Sequence, residues 1–220
     1  VTEAGSTDLF TVVLDKAPLS DVVFAISSSD TGEATVTSSL TFTAANWDIP
    51  QNVTVTGADD NIIDGSVTSN ISVSINDGSS DNAFDAVADQ TVSVTTTDDD
   101  VAGFTIAETS GSTGVDESGS TDIFTVVLNA QPNSDVVLQL TSSDTGELTT
   151  TATVTFTAAN WDTAQNVTVT GVDDHIIDGT QNTTVTVSVL DAASDDDFDA
   201  VADQTVSVTT TDDDVAGFTI

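Results

Sequence analysis

Acidic side chains recur at five places in this chain, and the whole set occurs twice. The first set is Glu3, Asp30, the pair Asp59 and Asp60, Asp64, and the triplet Asp98, Asp99 and Asp100. The second set lies 114 positions further on: Glu117, Asp144, Asp173 and Asp174, Asp178, and Asp212, Asp213 and Asp214. Carboxylates gathered in a fold repel one another. At an effective dielectric near 20, two unit charges about 5 Å apart cost roughly 3 kcal/mol. Such a cluster therefore calls for a cation. Oxygen ligands without His or Cys select Ca²⁺ over transition metals. Mg²⁺ suits the set less well, because it prefers few protein ligands and keeps its waters. Eight carboxylates per set would be balanced by about four divalent ions, with waters and backbone carbonyls completing each shell.

Composition points the same way. There are 37 acidic residues, one Lys16 and no arginine, for a formal net charge of −36. Nucleic acid and anionic membrane surfaces are bound through Lys and Arg, so both are expected to be poor partners: no nucleic acid and no membrane insertion. No apolar run approaches the roughly 18 residues of a membrane span, and VTEAGSTDLF has no signal-peptide pattern. The absence of cysteine rules out disulfides and leaves the compartment open. Val, Ile, Leu and Phe are abundant, alternate with period two, and argue for a folded chain despite the acidity.

The elements that must position these acids are strands. Trp47 pairs with Trp161, Gly57 with Gly171 and Phe84 with Phe198 at a constant offset without a gap, with about 70% identity over the overlap. A period this long means tandem domains rather than a solenoid. Within a unit, apolar residues alternate at Phe10, Val12 and Leu14, at Val22, Phe24 and Ile26, at Leu40 and Phe42, and at Val53 and Val55. The pattern continues at Ile71, Val73 and Ile75 and at Val92 and Val94, and Ala102, Phe104 and Ile106 open the second unit. Thr and Ser occupy the outward positions, and SSDTGE, AANWD, GADDNIIDG and NDGSSDN mark turns. The expectation is all-β: tandem immunoglobulin-like antiparallel sandwiches of about seven strands each. In that strand order the Asp30 loop, the Asp59–Asp64 loop and the end of the last strand can share one pole.

The expected divisions are 1–100, 101–214 and 215–220. Val1 matches Val115, so the first unit lacks a counterpart of VAGFTIAETSGSTG, while the closing VAGFTI reads as the first strand of a following unit. The chain is thus expected to be a piece of a longer array. Its C-terminal strand is expected to fill the open slot of a neighbouring molecule, head to tail.

The residues now assembled resemble the Calx-β domain, a family associated with sodium/calcium exchangers and frequent in bacterial surface proteins. The likeness is carried by Glu3 with Gly5 and Glu117 with Gly119, by SSDTGE and LTFTAANWDIPQNVTVTG, and by DDNIIDG and the DDD before AGF. It covers both units. It implies calcium ligation by the early Glu, the turn Asp, the DD pair, the acid four residues later and the terminal triplet, which are the sixteen acids named above. The exchanger pattern carries further acids where this chain has Gly65, Ser66 and Val67, which implies fewer ions.

Other features have blander readings. His175 is the only histidine and its counterpart is Asn61, so neither a catalytic triad nor a zinc site is expected, and the chain reads as non-catalytic. Trp47 and Trp161 are expected to seal the sandwich cores rather than stack on sugars. The four Asn-X-Ser/Thr sequons carry no weight, and alternating Thr is what any exposed sheet shows. The competing account of the acids is a solvated surface in which Asp suits turns. The functional expectation is calcium-binding extender repeats that rigidify a large secreted or cell-surface bacterial protein, of adhesin type. The rival readings are a calcium-sensing regulatory module and a carbohydrate- or protein-binding module.

Overall fold

Alternation of apolar and hydroxyl side chains gives each strand one face that is driven from water and one that is not. In the computed structural model, which describes residues 1–220, that alternation becomes strands in two units, Val1–Asp99 and Asp100–Ile220. The first unit contains β1 (Thr7–Val12), β2 (Val22–Ser28), β3 (Ala34–Val36), β4 (Ser39–Phe42), β5 (Gln51–Gly57), β6 (Val67–Ile75) and β7 (Gln90–Thr96). Its sheets run β1-β5-β3 and β4-β2-β6-β7, every strand pair antiparallel. Val22, Phe42, Val53 and Ile71 are fully buried, and Phe24 meets Phe42 edge-on with ring centroids 5.8 Å apart.

The second unit repeats this plan with two further strands. It contains β8 (Phe104–Glu108), β9 (Thr113–Asp116), β10 (Thr121–Leu128), β11 (Val136–Ser142), β12 (Leu148–Thr150), β13 (Thr153–Phe156), β14 (Gln165–Gly171), β15 (Gln181–Val189) and β16 (Gln204–Thr211). The sheets run β12-β14-β10-β8 and β13-β11-β15-β16-β9. Strand β8 closes the outer edge of β10, with Phe104 opposite Leu128, and β9 lies parallel to β16. In the first unit the counterpart of β9 is a single bridge between Thr2 and Thr97. The all-β, immunoglobulin-like sandwich expected from the sequence is the fold observed. No helix is long and apolar enough to cross a membrane.

Two details were not anticipated. Strands β3 and β12 are three residues long and β9 is four, too short to show a period in sequence. Residues 215–220 lie in no strand. As expected, Trp47 packs against the first unit's core, and its carbonyl accepts the Leu14 N–H at 3.1 Å, as the Trp161 carbonyl accepts that of Leu128.

Phe156 is fully buried in the second unit. Phe156→Ala is expected to destabilise that unit by about 3–5 kcal/mol. The check is denaturant unfolding followed by Trp161 fluorescence, with Trp47 replaced by Phe so that one indole reports.

Candidate metal centre

Glu117 stands where β9 ends beside the end of β16. Its N–H donates to the Thr211 carbonyl at 3.1 Å, so its side chain issues next to the Asp212–Asp214 triplet. Gly171 makes this approach possible: a Cβ there would overlap the Asp116 carbonyl, and one on Gly57 would overlap that of Thr2. The turn after β11 brings in a second acid. Asp144 accepts the Gly146 N–H at 2.9 Å, which folds the turn and aims Glu147 inward, while the Glu147 carbonyl takes the Val172 N–H at 2.9 Å. The loop after β14 is tied to the triplet by Gly179 N–H on Asp212 Oδ2 at 2.7 Å, and it carries Asp178.

Two triads result. Glu117, Glu147 and Asp178 each place a carboxylate oxygen within 4.8 Å of the others, and so do Glu117, Asp212 and Asp214. Glu117 belongs to both. It is buried, and neither of its carboxylate oxygens has a hydrogen-bond partner. Glu147 Oε2 and Asp214 Oδ2 are likewise buried without partners. Five carboxylates thus converge, and these residues could hold a hard divalent cation through their oxygens.

The first unit is built alike. Glu3 donates its N–H to Thr97 O at 3.1 Å, and Asp98 Oδ2 accepts the N–H groups of Asp64 and Gly65 at 3.1 and 2.9 Å. Glu3, Glu33 and Asp64 form the triad, again within 4.8 Å, and the Oε2 atoms of both glutamates are buried and partnerless. Asp98 acts on Glu3 by repulsion. Asp100 is the first residue of the second unit.

Burial and repulsion perturb these groups strongly. Burial first, then Asp98, Asp60, Asp64 and Glu33, pushes the Glu3 carboxyl up to about 7. Burial, then Asp212, Asp174, Asp178 and Glu147, does the same for Glu117, also to about 7. Glu33, Glu147 and Asp64 are raised as well, chiefly by burial and then by neighbouring carboxylates. Asp212 moves the other way, because the Gly179 and Asp214 N–H groups stabilise its charge.

Of the residues singled out in the sequence, Glu3, Asp64, Glu117, Asp178, Asp212 and Asp214 stand in these groups, with Asp98 beside them. Asp60 and Asp174 accept the N–H of Ile62 and of Ile176 at 2.7 Å and act on the glutamates by charge. Asp30 accepts the Gly32 N–H at 3.0 Å within its own turn, as Asp144 does. Asp59, Asp99 and Asp213 are exposed and outside the triads. The middle member of each triplet points away because side chains alternate along extended chain. Asp173 lies 2.8 Å from His175 Nδ1, and with Asp214 they form a more exposed group. Glu33 and Glu147 were missed. Their signal was present in SSDTGE, which carries the buried Glu in both copies.

Not every buried acid is of this kind. Asp81 accepts N–H groups from Leu19, Ser20 and Ala83 at 2.6, 3.1 and 3.0 Å, which hold its carboxyl below the ordinary range. Asp195 likewise accepts the N–H groups of Ser134 and Asp197, at 2.7 and 3.2 Å.

No family model matches the chain, and no curated protein sequence matches it either. Among solved structures it superposes on domains 4 and 5 of the S-layer protein SbsC, with 18% identity, 86% of this chain and 70% of that one covered, and a TM-score of 0.41. The apo-form Calx CBD1 domain matches at 13% identity over 50% of this chain and 98% of that one, TM-score 0.37. CBD12 of CALX1.2 matches at 15% over 86% and 75%, TM-score 0.36. The chain spans 20% of a longer SbsC structure. These likenesses are low in identity and in TM-score, and the candidate metal centre is described from its own geometry.

A carboxyl near 7 in the fold, against an ordinary 4.5, binds its proton more readily folded than unfolded between those values. Its contribution is therefore present in full below about 4.5 and lost as pH rises through about 7. In chelator the melting temperature is expected to rise from pH 8 to pH 5. Replacing Glu3 and Glu117 together by Gln is expected to raise it at pH 8 and flatten the profile. Below pH 4 the lowered groups Asp81 and Asp212 reverse the trend. Thermal melts across pH check all three.

Proposed function

We propose that each unit is a non-catalytic calcium-binding sandwich, and that the chain serves as extender repeats stiffened by Ca²⁺ in a secreted or cell-surface bacterial protein of adhesin type. The observation carrying this reading is the convergence, in both units, of buried glutamate oxygens without hydrogen-bond partners on further carboxylates. Buried polar atoms are normally paired, so a set left unpaired and like-charged is explained by an ion. All the ligand atoms are hard oxygens, which suits Ca²⁺.

The extender role is supported by sequence and connectivity. Two copies that agree at about 70% of positions favour a spacer over a sensor, which needs only one. The triplet Asp98–Asp100 is separated from β8 by Val101, Ala102 and Gly103 alone. Ions held at the triplet restrict the chain that joins one sandwich to the next. The acidity suits a calcium-rich exterior, and calcium bound only by the folded state stabilises it by about 2.7 kcal/mol at a hundredfold excess over Kd. A sugar-binding module would need an exposed aromatic platform, whereas Trp47 packs on the core.

Calorimetric titration of the apo chain with CaCl₂ is expected to show saturable binding, with a raised melting temperature and a changed X-ray scattering profile. Glu147→Gln or Asp178→Asn is expected to weaken the second unit's binding by at least about tenfold, judged from the usual effect of disturbing a metal shell. Asp213→Asn is expected to leave it unchanged. A melting temperature and scattering profile indifferent to chelator would overturn the reading.

A further inference from the structure

His175, the single histidine of the chain, stands beside two acids in the fold. It lies with Asp173 in the loop after β14, and Asp214 follows the end of β16. A ring nitrogen of His175 and one carboxylate oxygen from each of Asp173 and Asp214 all fall within 4.8 Å of one another. The contact between His175 Nδ1 and Asp173 Oδ1 is 2.8 Å. The zinc site discounted in the sequence for want of further histidines therefore has two carboxylates in their place.

Asp214 sets this group apart from a surface ion pair. Its Oδ2 is buried and has no hydrogen-bond partner. An oxygen of Asp214 also lies within 4.8 Å of one on Glu117, which is 0% exposed with both oxygens unpaired. Buried oxygens are normally paired, so unmet acceptor capacity at this point calls for a cation. Asp214 thus belongs to two groups. One, with Glu117 and Asp212, is all oxygen; the other contains an imidazole.

We propose that Asp173, His175 and Asp214 form a site for a borderline transition-metal dication such as Zn²⁺, and that the second unit has this site while the first does not. The donor set carries the choice of ion. Carboxylate oxygens alone serve Ca²⁺, whereas imidazole suits Zn²⁺, Cu²⁺ and Ni²⁺. One nitrogen and two carboxylates make three ligands, and water completes a tetrahedron. With metal–ligand bonds near 2.1 Å, ligand atoms of a tetrahedral Zn²⁺ stand about 3.4 Å apart. The group needs only small side-chain rotations to reach that spacing. In the first unit the residue at the histidine position is Asn61. Its amide nitrogen is a donor and only its carbonyl oxygen could face a cation, so the preference for a borderline ion is lost. The site goes beyond the calcium reading, since it shares Asp214 alone with the all-oxygen triads. One substitution thus gives two near-identical sandwiches different metal preferences.

The test is a ZnCl₂ titration of the metal-free 220-residue chain, followed by calorimetry and by ¹H–¹⁵N NMR of the imidazole, whose signals are unambiguous because there is one histidine. The ring nitrogens are expected to shift and saturate with Zn²⁺. His175→Asn installs the first unit's residue, and Asn accepts the φ of 65° found at this position. It is expected to weaken the tightest Zn²⁺ binding at least about tenfold, since losing even a supporting group of a metal site costs that much. A parallel CaCl₂ titration of the same variant is expected to match the wild type. Imidazole signals indifferent to Zn²⁺, or equal Zn²⁺ affinity in wild type and His175→Asn, would sink the proposal. A wild type that takes Zn²⁺ at His175 and ignores Ca²⁺ would overturn the calcium reading and leave this one standing.

Discussion

The structure turns on like charges held where neither water nor a hydrogen-bond donor reaches them. Glu117 brings a carboxylate with two partnerless oxygens to the point where β9, β16 and the loop after β14 meet. Glu3 plays the same part in the first unit, with one partnerless oxygen. Each arrangement opposes itself, since every additional acid brought close raises the cost of ionising the rest. The backbone compensates only in part. Asp98 and Asp212 take N–H groups from the loops they face, which fixes those loops but leaves the glutamates without donors. The one cationic side chain, Lys16, lies in the loop after β1 and is in no ion pair with them. Neutralising charge must come from protons or from ions in solution.

Asp81 and Asp195 show what this chain does with a buried acid when no ion is needed. Each is wrapped by backbone N–H groups, and its charge is satisfied locally. The contrast separates acids satisfied by the backbone from acids that could hold a cation, within one molecule. It also bears on the solvated-surface account, in which acids would be exposed wherever they occur: Glu3 is 1% exposed and Glu117 0%.

The strands could be read from sequence because alternation survives in every long one, from Val22–Ile26 to Val92–Val94. The short ones could not, since Ala34–Val36 and Thr113–Asp116 hold too few residues to display a period. At the metal centre the residue types were legible and their directions were not. Sequence treats Asp212, Asp213 and Asp214 as equals, whereas the extended backbone turns the middle one outward. Asp144 accepts a hydrogen bond from Gly146 within its own turn, and that turn aims Glu147. Glu33 and Glu147 went unnoticed because a Glu beside a turn is ordinarily solvated. Only the packing of Gly57 and Gly171 against the preceding segment shows how close the chain runs there.

The duplicated segment has a consequence for how the chain assembles itself. Val101–Ile106 and Val215–Ile220 are the same word, so side-chain chemistry gives the edge of β10 no means of telling them apart. What distinguishes them is tether length. Strand β8 is tied to its partner β10 through only the dozen residues from Thr109 to Ser120, and so short a loop gives it a high effective concentration there. Correct pairing is thus a kinetic and topological property, set by the spacing along the polypeptide, and a nick or insertion in that loop would erase the distinction without altering a single contact.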